Sequence, residues 1–146
     1  MRSAIIFIPL LTLTACAAAK PTPDEAFAEK VEADVRRGLK DPDSANFEDV
    51  KAYPKEQVAC GKVNAKNSYG GYTGFEDFSY YQGQSHLESD DMKAYVVGSG
   101  RCMIVSARRS IEETRQGDLP TKDKDKLIKM FEKNIGDIER DPTFGL

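Results

Sequence analysis

The sequence has no excess of positive charge: 21 Lys and Arg stand against 24 Asp and Glu over 146 residues, a formal charge of −3. Proteins that track nucleic-acid backbones carry a basic patch or stripe, so nucleic acid is a poor partner class for this chain. Long apolar runs are also missing. The longest, Ala4 to Leu13, falls well short of the ~20 residues a membrane-spanning helix needs. There is one His and there are three Cys, with no Cys-x-x-Cys pair, no EF-hand spacing and no Walker or dinucleotide glycine pattern. These absences remove the common metal, nucleotide and redox motifs, and no cofactor is expected. The body shows no internal repeat and no low-complexity segment. What is present is 40% hydrophobic and 31% charged residues, with 7 Phe and 6 Tyr and a mean hydropathy of −0.53. That is the composition of one small water-soluble core, and the length fits a single domain at ~100–200 residues per domain.

The amino terminus has its own logic. Met1 and Arg2 give a positive start, the short apolar run follows, and small residues close it, which together read as an export signal rather than a membrane span. The run ends in Leu13-Thr14-Ala15-Cys16, which resembles the lipobox of bacterial lipoproteins. The resemblance implies cleavage after Ala15, thioether attachment of diacylglycerol to Cys16 and acylation of the new amino group. Several acyl chains together anchor stably, at ~0.8 kcal/mol per buried CH₂, where one chain binds only marginally. Ala17 follows, with no Asp to resemble an inner-membrane retention signal, so the resemblance implies the outer membrane, with the body in the periplasm. The expected organisation is a signal peptide over 1–15, a lipidated Cys and tether over 16–23, and one domain over 24–146. Removing 1–15 takes away a single charge, Arg2, and leaves the remainder slightly more acidic.

That address governs the remaining sulfurs. With Cys16 consumed by lipid, Cys60 and Cys102 sit in an oxidising compartment and are expected to pair, the rival reading being a reactive dithiol or metal pair. Closing a loop of roughly forty residues contributes on the order of 4 kcal/mol in the chain-entropy model. In a small core that is a large share of a total stability of ~5–15 kcal/mol.

Thr22-Pro23-Asp24-Glu25 combines a capping hydroxyl, a proline at the first helical position and a carboxylate three residues after the cap, which predicts a helix start. Phe27, Val31, Val35 and Leu39 then recur as an apolar stripe until Asp41-Pro42 stops the helix. Short β-leaning runs follow at Phe47–Tyr53, Gln57–Ala65, Phe75–Tyr81, Met92–Val97 and Cys102–Ala107, with Gly98-Ser99-Gly100 as a hairpin connection between the last two. Thr121 is expected to cap a closing helix with Leu127, Ile128, Phe131, Ile135 and Ile138 on one face, ended by Asp141-Pro142. The fold class is therefore α+β: a small antiparallel sheet of four or five strands, an N-terminal and a C-terminal helix packed on one face of it, and one disulfide.

The stretch from Cys60 to Phe75, taken with Leu39 to Phe47, resembles a small domain found in bacterial proteins for which no activity is established. The resemblance covers about residues 25 to 107 and implies a fold without a catalytic residue. Read from the residues, Gly70-Gly71 and Gly74 permit positive φ or close backbone approach, so Lys66 to Gly74 is a loop between two strands. Three accounts stand: a turn held by Asn64, Asn67 and Ser68 with Tyr69 and Tyr72 packed over a core edge, a recognition surface, or an anion cradle, for which the glycines are present without a Walker or dinucleotide pattern. The second joins Asn64, Lys66, Asn67, Tyr69, Gly70, Gly71 and Tyr72, with Tyr80 and Tyr81, because aromatic faces and amides suit sugars or extended peptides. His86 lies in a polar stretch with Ser85, Ser89 and Asp91, and the acidic Glu88, Asp90 and Asp91 read as a solvated loop. The functional expectation is an anchored, non-enzymatic envelope lipoprotein, a binding or structural module whose partner is an envelope protein or a cell-wall glycan. The alternative is a periplasmic hydrolase using His86.

Overall fold

The computed structural model describes residues 20–145, so the signal peptide and Cys16 lie outside the described residues. Helix α1 (Pro23–Gly38) starts as the sequence predicts. The Glu25 amide donates to Thr22 Oγ1 at 3.2 Å, and the Thr22 amide donates to Glu25 Oε2 at 2.7 Å. Both hydrogen bonds satisfy helix-end amides that would otherwise have no partner. Phe27, Val31 and Val35 are buried, and Leu39 packs at the margin of the same cluster.

A 3₁₀ turn at Pro42–Ser44 leads into β1 (Asn46–Tyr53), followed by β2 (Val58–Asn64), β3 (Glu76–Tyr81) and β4 (Gln84–Leu87). The four strands form one antiparallel sheet in the order β1-β2-β3-β4. β1 carries an irregularity between Glu48 and Lys51, where Asp49 takes a positive φ of 52°. The extra chain is accommodated by Gly61, since a Cβ there would lie 3.0 Å from both the Val50 Cα and the Phe78 ring. β3 and β4 are joined by two residues, Gln82 and Gly83, both at positive φ (54° and 86°), the conformation whose twist matches a tight hairpin.

The middle of the chain departs from the sequence reading. Met92–Val97 and Cys102–Ala107 are not strands, and Gly98-Ser99-Gly100 is not a hairpin turn. All belong to one long helix, α2 (Met92–Gln116), capped by Asp91, whose side chain accepts from the Ala94 amide at 3.0 Å. The small residues serve close packing. A Cβ at Gly98 would sit 2.4 Å from Ser79 Oγ, and one at Gly100 would sit 2.4 Å from the Phe144 ring. A last helix, α3 (Thr121–Arg140), packs on α2. Thr121 is its first residue rather than its cap, and Pro120 at the cap position offers no side-chain hydrogen bond.

The helices also do not share a face of the sheet. Alternate residues of a strand point to opposite faces. Ala52, Ala59, Val63, Phe78, Tyr80 and Leu87 meet Phe27, Val31 and Val35 of α1. Tyr53, Val58, Cys60 and Tyr81 meet Cys102 and Val105 of α2. The sheet is thus covered on both faces, α1 on one and α2 on the other, with α3 outside α2. Cys60 and Cys102 are bonded, with their Cα atoms 6.1 Å apart, and staple α2 to β2. The rival reading of those two cysteines as a reactive dithiol or a metal pair is thereby excluded in this structure.

Candidate functional site

α2 crosses its face of the sheet diagonally. Its first turns meet β3, where Ser79 Oγ donates to the Tyr95 carbonyl at 3.0 Å. Its middle meets β2 at the disulfide, and Arg109 reaches the end of β1, 5.9 Å from the Tyr53 ring centroid. The opposite corner of that face, where Asn46 pairs with Asn64 and Glu48 with Lys62, lies off this path. The connection from β2 to β3 rises beside that corner.

Residues Lys66–Tyr72 form a tight turn closed by a bridge between Lys66 and Tyr72. Asn67 organises it: its Oδ1 accepts from the Tyr69 amide at 2.9 Å and from the Gly71 amide at 3.2 Å, while its amide donates to the Gly71 carbonyl at 2.9 Å. This is the local side-chain capture that favours Asn in turns. Gly70 and Gly74 take positive φ, 81° and 102°; Gly71 does not, and a Cβ there would meet only Asn67 Oδ1 at 3.9 Å.

Tyr72 is held at its hydroxyl. It donates to the Ser44 carbonyl at 3.1 Å and accepts from Asn46 Nδ2 at 3.3 Å, while Lys66 Nζ stands 5.7 Å from its ring centroid. Ser44 adds a second tie, its Oγ accepting from the Lys66 amide at 2.9 Å. The ring nevertheless remains 51% exposed, Phe75 is 43% exposed, and Tyr69 at the tip is 97% exposed. Asn46, Phe47, Glu48, Asn64, Tyr72 and Phe75 line an open groove of ≈ 480 Å³. Asn64 Oδ1 in its lining is buried and accepts no hydrogen bond among the described residues.

The account of the loop as a self-held turn is partly right. The turn is self-held, chiefly by Asn67, but Tyr69 does not pack over the core. Tyr80 and Tyr81 do not join the surface. Tyr80 is buried against Phe27 with ring centroids 5.7 Å apart, and Tyr81 lies under the Arg101 guanidinium at 4.5 Å. Sequence reasoning missed Ser44, Asn46 and Phe75. The Asp-Pro-Asp-Ser turn before β1 was the available signal for Ser44, but its contact with a residue 28 positions later was not visible in any local pattern.

The polar stretch around His86 is strand and turn. His86 lies on β4 opposite Ser79, on the α2 side, and lines a cleft with Tyr81, Gln84, Asp91 and Lys93. Ser89 Oγ donates to Glu76 at 2.6 Å and Asp91 caps α2, while Ser85, the neighbour of His86 along β4, points to the opposite face of the sheet. Among the described residues His86 forms no hydrogen bond to Ser85, Ser89 or Asp91 in this structure, and no nucleophile is brought to it by one. Among the described residues no group of three His, Cys, Asp or Glu is arranged to hold a metal, and no helix is long and apolar enough to cross a membrane.

The charges at Arg108, Arg109, Glu112 and Glu113 are surface features of α2. Arg109 donates to Asp24 at 2.7 Å, and Arg108 pairs with Glu139 of α3 at 3.3 Å. The hydrogen bond to Asp24 raises the Arg109 pKa further.

No protein-family model matches the chain, and no curated protein or solved structure is significantly similar to it. The resemblance of the body to a small bacterial domain gains no support from these comparisons.

Proposed function

We propose that the protein is an outer-membrane lipoprotein of the bacterial envelope, anchored through Cys16 and facing the periplasm, whose disulfide-stapled body is a non-enzymatic binding module. The binding surface is the rim formed by Tyr69, Tyr72 and Phe75 with the groove beside it. The observation that carries this reading is that Tyr69 and Tyr72, on a turn whose geometry is otherwise fixed, and Phe75, just after it, stay exposed. A turn that served only to connect β2 with β3 needs none of them, whereas aromatic residues held in place over amides are characteristic of interaction surfaces.

Position supports the same reading. Asp24, at the start of α1, is linked through Arg109 to the neighbourhood of Tyr53, the last residue of β1. The rim lies by Asn46, the first residue of β1, and an eight-residue strand spans roughly 23 Å. A tether that joins at α1 meets the body at the end of β1 remote from the rim, an arrangement that suits a rim directed toward the periplasm.

The test is retention from detergent-solubilised envelopes by the tagged full-length chain, compared with the Tyr69→Ala/Tyr72→Ala variant. Recovery of a protein or glycan by the native chain and its loss from the variant is the expected result. Equal recovery by both, or none by either from cells where the protein is abundant, contradicts the reading.

A further inference from the structure

We infer that the groove beside Tyr72 takes a glycan, specifically a stretch of β-linked pyranose chain whose ring substituents are equatorial. The inference rests on the rim being a binding surface and adds the chemical class of what it binds.

The lining has two components. Tyr72 and Phe75 present half-exposed rings to one groove, and Tyr69, three residues before Tyr72, is almost fully exposed. Asn46 and Asn64 lie along the same groove with the Glu48 carboxylate; Asn46 gives its amide hydrogens to the Ser44 carbonyl and the Tyr72 hydroxyl and keeps its Oδ1 as an acceptor. A pyranose with equatorial substituents has two unlike surfaces that match this division. Its faces carry only axial C–H groups and stack on the electron-rich face of an aromatic ring. Its edge carries hydroxyls that donate and accept in the ring plane, and an amide offers both an acceptor and donors in a plane of its own.

A further feature favours this ligand. The Tyr72 ring is held by its hydroxyl bonds to Ser44 and Asn46 and by Lys66, and the turn below it by Asn67. Little side-chain freedom is therefore lost on binding, which suits the shallow, weakly enclosing sites that sugars use. An extended peptide would more naturally add to the outer edge of β1, but the positive-φ residue Asp49 interrupts that edge and spoils the ladder such a peptide needs.

The experiment measures binding of a soluble β-1,4-linked N-acetylglucosamine tetramer and of an α-1,4-linked glucose tetramer to the full chain in detergent micelles. Calorimetry is the readout, with the envelope retention assay run in parallel. The β-linked tetramer is expected to bind, the α-linked one to bind far more weakly, and Tyr72→Ala to weaken binding by about tenfold or more. Tyr72→Phe separates stacking from positioning: it keeps the ring and loses the hydroxyl ties, so an intermediate loss is expected. Because Tyr72 is half-exposed, circular dichroism of each variant is expected to match the native chain, which excludes misfolding as the cause. Equal binding of the two tetramers, or binding insensitive to Tyr72→Ala, overturns the inference. So does the absence of glycan binding while envelope retention of a protein still depends on Tyr69 and Tyr72; that outcome leaves the rim as a binding surface and removes only the glycan. Failure of both assays removes the rim as well.

Discussion

At Gly98 two tendencies oppose each other. In the interior of an exposed helix, replacing Gly by Ala gains about 1 kcal/mol of helix propensity. Here the added Cβ would fall 2.4 Å from Ser79 Oγ and 2.8 Å from Ser79 Cβ, and Ser79 is fully buried with its hydroxyl committed to the Tyr95 carbonyl. Overpacking of this kind costs about 1–3 kcal/mol, so Gly98→Ala is expected to destabilise the protein despite the better helix former. A lowered urea midpoint supports this, and Ser79→Gly in the same chain should recover part of the loss; a raised midpoint contradicts it. The same residue explains a misreading. A Gly-Ser-Gly triplet between β-branched runs has the local signature of a turn, and only a contact with a distant strand makes it a packing surface of α2. Gly70 and Gly74 were legible as loop residues because the reason for them, a positive φ, is local.

At the level of elements, what was readable had its cause within one turn or one face. The capping box, the four-residue stripe of α1 and the apolar face of α3 all appear in the structure, as do the first three strands. β4 was missed because it is a four-residue edge strand with a single apolar residue, Leu87, and its only turn signal is Gln82-Gly83. α2 was missed because Val, Ile and Tyr favour strands on propensity. The 3-4-3 spacing of Tyr95, Gly98, Cys102 and Val105, continued without a break from the Asp91 cap, was the helical signal that outweighed it.

Two predictions belong to this level. Cys60→Ser releases α2 from β2 and should cost about 2–4 kcal/mol in urea unfolding. Reductant should lower the stability of the native chain by a similar amount and leave the variant unchanged; equal stability of native and variant under oxidising conditions contradicts the staple. The second concerns acid. The Thr22 backbone amide, followed by its hydroxyl, holds the Glu25 carboxyl below its usual pKa. A group depressed in the folded state contributes stability that is present above its unfolded pKa, near 4.3, and is lost as pH falls through the folded value. Glu25→Gln should therefore melt below the native chain near neutral pH, and the gap should narrow below about pH 4. A gap that is constant with pH would exclude the carboxylate as its source.

For the whole molecule, the proposed anchor and the proposed rim fit one arrangement. α1 begins near the Tyr53 end of the sheet, a helix covers each face, and the corner at Asn46 and Asn64 stays open. The bond between Cys60 and Cys102 is of the kind that persists in an oxidising compartment, which is the one the proposed address implies. The fold class was legible from composition and patterning. The site was legible only as a loop, because its groove is assembled from three segments that are distant in sequence. The most direct measurement of the account is the intact mass of the protein extracted from bacterial membranes, with thiol titration of the same sample. A chain beginning at Cys16, heavier by its acyl groups and free of titratable thiols, is the result it predicts. An unacylated chain that retains Met1 and titrates three thiols would contradict it.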